Sequence, residues 1–93
     1  MNQEIRDEIC CMGGEDALMF DNPDFDNAVI GLTTDGRVVY HYDRMVADMV
    51  NRDGVSEEDA VAFIDYNTIR SIPYAGGSAP IIMYPILTEV LNE

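Results

Sequence analysis

Lysine is missing from this chain of 93 residues, and tryptophan is missing too. Five arginines therefore stand against eighteen aspartates and glutamates, and the formal net charge is −13. Such a surface repels nucleic acid and anionic membrane, because both carry phosphates. We expect no direct contact with either and instead predict a basic protein surface as the partner. A simpler interpretation is that the acidity only keeps a small domain soluble and monomeric.

Ligands for metals are also scarce. Cys10 and Cys11 are adjacent, which disfavours a disulfide between them because bridged Cα atoms lie about 4.4 to 6.8 Å apart. With His41 as the one histidine and no C-x-x-C spacing, the usual zinc ligands are missing. Residues 21–26 are acidic, but they lack the central glycine and closing glutamate of an EF-hand loop. We predict neither a metal nor another cofactor.

Long apolar runs are absent. None approaches the roughly 20 residues of a membrane span, and the polar, acidic N-terminus does not look like a signal peptide. We therefore expect a cytoplasmic protein. The length predicts a single domain, residues 1–93, with a small core.

What the sequence does contain is a hairpin that leads into a helix, at residues 27–54. A three-residue loop of Thr34, Asp35 and Gly36, with Gly36 left-handed, places all the apolar residues on one face. The predicted strand pairs are Leu32 with Val38, Ile30 with Tyr40, and Ala28 with Tyr42. Asp43 then caps a helix whose buried stripe is Tyr42, Met45, Val46, Met49 and Val50, and Gly54 ends it.

Three other helices are predicted along the chain. The first covers residues 3–12 with Asn2 as its cap, and the second runs from the Ser56 cap to about Tyr66. A short last helix starts at Pro85. Residues 17–20 and 81–84 are candidate strands. The sequence thus predicts an α+β fold, with a three- to four-stranded, mainly antiparallel sheet, a central hairpin at about residues 27–42, and two to three helices packed on one face.

The densest acidic groups are our candidates for binding a partner: Asp21, Asp24, Asp26, Glu57, Glu58 and Asp59. The last three also have a local explanation, since carboxylates stabilise the first turn of a helix. Catalytic chemistry is not visible in the sequence. His41 falls on the outer face without a neighbouring nucleophile, and residues 76–78 lack the lysine of a phosphate-binding loop. We predict that the protein is not an enzyme.

Residues 35–76, which begin DGRVVYHYDRMVADMV, resemble short acidic proteins of bacterial and phage genomes that have no assigned activity. The resemblance implies a possible mobile-element origin, in which small acidic proteins act as inhibitors or decoys of nucleic-acid enzymes. No functional residue is carried over from it.

Three functional hypotheses follow. The first is a non-enzymatic acidic protein that covers a basic surface of a partner, as a phage-type inhibitor or a mimic of nucleic-acid charge. The second is a structural subunit that forms a homodimer through its C-terminal region, where Tyr66, Tyr74 and Tyr84 either anchor a partner or belong to the core and its rim. The third is a small enzyme, which requires a pocket with convergent titratable groups.

Overall fold

The computed structural model describes residues 2–14, 17–20, 24–74 and 76–86. Within these ranges the chain has an α+β fold, as predicted, with three α-helices and one three-stranded sheet. The elements are α1 (Gln3–Cys11), β1 (Val29–Leu32), β2 (Val38–His41), α2 (Tyr42–Asp53), α3 (Glu57–Phe63) and β3 (Ile81–Met83). The helix that we predicted after Pro85 lies almost wholly outside the described residues.

The turn between β1 and β2 has the predicted three-residue loop. Leu32 pairs with Val38, and the Thr33 amide donates a hydrogen bond to the Arg37 carbonyl at 2.8 Å. The Gly36 amide bonds to the Thr33 carbonyl at 3.0 Å, and Gly36 has a φ of 82°. Glycine suits this position because side chains strain a left-handed backbone.

The register of the hairpin differs from the prediction beyond its first pair. Gly31 pairs with Val39 and Val29 with Tyr40, so Ile30 is an extra residue in a bulge. The predicted pair of Ile30 with Tyr40 is therefore wrong, and Ile30 is 42% exposed instead of buried. The pair of Ala28 with Tyr42 is wrong as well, because the chain forms a 3₁₀ turn at Asp26–Ala28 and Tyr42 already begins α2.

The third strand makes the sheet mixed. β3 lies parallel to β2, and the strand order is β1-β2-β3. A parallel neighbour needs a crossover connection, which α2 and α3 supply. The strand predicted at residues 17–20 is wrong. This segment has no strand structure, although the Leu18 amide donates a hydrogen bond to the Ser78 carbonyl at 3.3 Å.

Helices α1 and α2 begin at side-chain caps. The Asn2 side-chain oxygen accepts from the Ile5 amide, which confirms the first cap. The cap of α2 is His41 rather than the predicted Asp43, because β2 continues to His41 and its Nδ1 accepts from the Arg44 amide at 3.3 Å. Gly54 ends α2 with a φ of 70°, as predicted.

Helix α3 begins at the predicted cap, with Ser56 Oγ accepting from the Asp59 amide at 3.1 Å. The α-helix ends at Phe63, before the predicted Tyr66, and the chain continues as a π-helical turn, Ile64–Thr68, and a 3₁₀ helix, Ile69–Tyr74. Ala60 and Ile64 are buried, whereas Phe63 is 38% exposed.

The core lies between the sheet and the helices. The methionine stripe of α2 is buried as predicted, through Met45 and Met49. The Phe20 ring meets the Phe25 ring edge to face at 6.1 Å, and the Phe20 amide donates to Tyr40 Oη at 3.1 Å. The buried members of the core are Ile9, Phe25, Ala28, Val38, Tyr40, Met45, Val46, Met49, Ala60 and Ile64. No helix in the described ranges has both the length and the apolar character to cross a membrane.

Candidate functional site

The structure separates the predicted partner-binding acids into two groups. Glu57, Glu58 and Asp59 are exposed at the start of α3. Asp24 is half-buried and Asp26 is fully buried beside the 3₁₀ turn. Asp21 lies outside the described residues. The six residues therefore do not form one exposed acidic surface.

Asp26 belongs to an internal ion pair. Arg6 Nε contacts Asp26 Oδ2 at 2.8 Å and Nη2 contacts Oδ1 at 3.0 Å, so the pair is bidentate. The Asn2 amide donates to the same Oδ2 at 2.8 Å. The Asp26 side chain is 1% exposed. Its carboxylate links α1 to the segment before β1. Asp26 is therefore not part of an exposed partner-binding surface, contrary to the prediction.

Asp24 also has internal contacts. Its Oδ1 accepts from the Asp26 amide at 3.3 Å, and its backbone carbonyl accepts from Arg52 Nη1 at 2.8 Å. Burial alone raises the pKa of the Asp24 carboxyl. The hydrogen bond from the Asp26 amide and the positive charge of Arg52 act in the other direction, and the pKa is lowered overall. Asp24 is thus ionised at neutral pH and part of the local structure.

The acidic start of α3 is arranged differently. The cap at Ser56 fixes the first turn, and the three carboxylates that follow project from it into solvent. Among the described residues, none of these three takes part in an ion pair. The positive end of the helix dipole stabilises these charges. This turn is the predicted acidic cluster that remains accessible.

A groove of about 430 Å³ lies beside it, between α2 and α3. Its apolar part comes mainly from side chains one turn apart on α2, with Val61 on α3, and its two charged residues are both acidic, Asp43 and Glu57. The lining residues are Tyr42, Asp43, Val46, Ala47, Val50, Asn51, Glu57 and Val61. The groove therefore combines an apolar surface with negative charge.

Tyr42 stands at the first turn of α2 in this groove. Its hydroxyl donates to Asp65 Oδ1 at 2.9 Å, and its ring lies 4.8 Å from the ring of Tyr84. Burial, together with the hydrogen bond to Asp65 and the charge of Asp65, raises the pKa of Tyr42 to about 12. At neutral pH the hydroxyl is protonated and joins α2 to the turn after α3.

The sequence did not identify Asp43 or Asp65 as residues of this surface. Asp43 was interpreted as a cap, and the two-helix groove was not predicted. One signal was available, since Tyr42, Val46 and Val50 repeat every four residues and form a second stripe beside the buried methionines. The facing residues of α3 were not identifiable before the helices were packed.

Other candidates from the sequence have structural roles or no site. His41 caps α2, as described above. Cys10 and Cys11 are both free and exposed. Among the described residues, no three His, Cys, Asp or Glu side chains come close enough to hold a metal ion.

The sequence matches no family model, and comparison with the curated proteins and the solved structures found no match. The resemblance to short acidic bacterial and phage proteins stays a prediction. The charge and shape of these surfaces are therefore the observations from which a function can be inferred.

Proposed function

We propose that this protein is a non-enzymatic binding protein whose acidic surface covers a basic surface of a partner protein. The observation that carries the proposal is the first turn of α3, where Glu57, Glu58 and Asp59 are exposed and have no ion-pair partner among the described residues. The groove beside this turn adds Asp43. With a net charge of −13, the whole chain attracts a basic partner from a distance.

The proposal extends to the kind of partner. A basic surface that is large enough to attract this chain is typical of proteins that bind nucleic-acid phosphates. The protein then acts as an inhibitor that mimics nucleic-acid charge, in the cytoplasm. Two exposed free thiols support that compartment, because thiols stay reduced there.

The experiment is a capture assay with the purified chain as bait, in extracts of source cells at low and high salt. The variant Glu57→Gln/Glu58→Gln/Asp59→Asn removes three charges from the accessible acidic turn. We expect a basic protein to be retained by the wild type at low salt, and to be lost at high salt or with the variant. With the identified partner, biolayer interferometry should show slower association and a weaker salt dependence for the variant.

The matched control is Glu4→Gln/Asp7→Asn/Glu8→Gln, which removes three charges from the exposed side of α1. Because both variants have the same net charge, a difference between them assigns the effect to the α3 turn. Circular dichroism checks that both are folded. Equal association by wild type and the α3 variant would contradict the proposal. If added duplex DNA displaces the partner from the protein, charge mimicry is supported. If DNA does not displace the partner, charge mimicry is contradicted.

A second candidate function is a homodimer formed through the C-terminal region. Tyr84 is 58% exposed and Ile86 is 80% exposed, and both follow the edge strand β3. Exposed large apolar side chains at a sheet edge are typical of contact surfaces. Size-exclusion chromatography with light scattering measures the mass. Ile86→Ser should shift a dimer to monomer, whereas Ile30→Ser at the opposite edge should not, and a wild-type monomer at high concentration contradicts this candidate.

A further inference from the structure

We propose that the groove between α2 and α3 binds a short amphipathic helix of the partner, with an apolar side facing the groove and Lys or Arg residues along its flanks. This inference rests on the proposed function, because it assumes a basic protein partner. It goes further by naming the place of contact and the chemistry of the segment that is bound.

The shape of the groove sets the size of its occupant. Along α2 the apolar lining runs from Tyr42 through Val46 to Val50, and Val61 faces it from α3. The eight residue steps from Tyr42 to Val50 span about 12 Å, which matches roughly two helical turns of a partner. Val46 is buried, whereas Ala47 is exposed, so the groove has a buried floor and an accessible wall.

The backbone of the groove selects a helix over an extended peptide. In the middle of α2 and α3 the backbone amides and carbonyls are used within the helices. An extended segment finds no sheet edge here to satisfy its own amides and carbonyls. A helix satisfies them internally, and its side chains fit between those of two neighbouring helices. The occupant is therefore helical.

The charges of the groove select a basic flank. Asp43 and Glu57 are its charged lining residues. Arg52, in the last turn of α2, is engaged by Asp48 at 3.2 Å and by the carbonyl of Asp24. A second copy of this chain suits the groove poorly, since each copy carries a net charge of −13. A Lys or Arg on either side of an apolar face complements both rim carboxylates.

The test uses fluorescence anisotropy with a labelled synthetic helix of about twelve residues, with leucines on one face and lysines on the other. A scrambled peptide of the same composition has no apolar face. We expect the amphipathic peptide to bind about tenfold more tightly than the scrambled one, since only the first buries its leucines together. The full chain is used throughout, at low and high salt.

Two variants locate the binding. Ala47→Trp fills the groove without a change of charge, and we expect it to weaken binding of the amphipathic peptide about tenfold. Its control is Ala62→Trp, on an exposed position of α3 that does not line the groove. Asp43→Asn/Glu57→Gln should weaken binding about two- to fivefold for each charge, and Glu4→Gln/Asp7→Asn on α1 should do so less. Thermal melts check that each variant is folded.

The outcomes separate this inference from the proposed function. If both peptides bind equally and Ala47→Trp has no effect, the groove is not the site, while salt-dependent binding still supports an acidic binding protein. If neither peptide binds at low salt, the inference about the groove is overturned, whereas the proposed function is decided separately by the capture assay with the α3 variant. If Ala47→Trp changes the mass of the protein in light scattering instead of peptide affinity, the groove is a contact between copies and the inference is wrong.

Discussion

The two sides of this molecule use the same residue types in opposite ways. Where α1 meets the hairpin, Asp26 and Tyr40 are fully buried, and each bonds to a residue 20 positions away. In the α2–α3 half, Asp59 is exposed and Tyr42 is half-buried with its hydroxyl on the surface. Both phenols bond to a distant residue, but the buried carboxylate holds the first side together, whereas the exposed carboxylate of the second side has no ion-pair partner among the described residues. The residue type alone does not decide whether a carboxylate is structural. That depends on whether the fold places a bonding partner, distant in the sequence, beside it.

The largest loss of stability is expected on the first side of the molecule, at the ion pair between Arg6 and Asp26. Asp26→Asn removes the buried negative charge that pairs with Arg6, and we expect it to lower the free energy of unfolding by about 2 to 4 kcal/mol. Urea unfolding followed by circular dichroism measures the change. The double variant Arg6→Met/Asp26→Asn should lose less than the sum of the single variants. A loss below that of Asp59→Asn would mean that the ion pair is not structural.

Alkaline pH is the second probe. Burial raises the pKa of Tyr40 from its usual 10 to about 12, so the folded state holds this proton more tightly than the unfolded state does. The protonated Tyr40 hydroxyl contributes its full share of the folding stability below pH 10. That share, roughly 2 to 3 kcal/mol, is lost as the pH rises from about 10 to 12. The pKa of Tyr42 is also raised to about 12, but Tyr42 is only half-buried and solvent screens its charge, so Tyr40→Phe should reduce this loss more than Tyr42→Phe does. Unfolding curves at several pH values test it, and equal effects would contradict the difference in burial.

A smaller effect is expected at the cap of α3. Ser56→Ala removes the acceptor for the Asp59 amide and should lower the free energy of unfolding by about 1 kcal/mol. Ser71→Ala is the matched control, since that hydroxyl donates to the Thr68 carbonyl and caps no helix start. If the two variants lose equal stability, the Ser56 hydroxyl does not act as a cap.

The smallest change in stability is expected on the second side of the molecule, in the acidic turn of α3. Asp59→Asn makes the same chemical change as Asp26→Asn, but on an exposed residue, and it should alter the free energy of unfolding by about 0.5 kcal/mol or less. The same urea titration measures it. A loss as large as that of Asp26→Asn would show that the acidic turn of α3 is structural, and would weaken the case for its partner-binding role.

The features predicted from the sequence depend on neighbours a few positions apart. Asn2 and Ser56 cap helices through amides three residues ahead, and Gly36 and Gly54 are left-handed for local reasons. Long-range contacts were not predictable in the same way. The bulge places Ile30 outside the core. It was not predictable because the register of a hairpin depends on both of its strands. The burial of Asp26 depends on Arg6, 20 residues earlier.

The candidate site follows the same rule. The acids of α3 were candidates because three carboxylates follow one another at a predicted helix start, where the helix dipole also favours them. The groove was not predicted, because its two walls belong to different helices and only their packing defines it. The strand predicted at residues 81–84 is confirmed as β3, but its parallel pairing with β2 was not predicted, since an apolar run indicates a strand and not its direction or neighbour.

The parallel pairing of β2 with β3 has a consequence for synthesis on the ribosome. Val39 meets Ile81, so one edge of the central strand stays open until the chain has been made past that point. The hairpin and both crossover helices emerge earlier and have to wait for the closing strand. A nascent chain stalled before residue 81 therefore exposes an unpaired strand edge to other newly made chains and to chaperones.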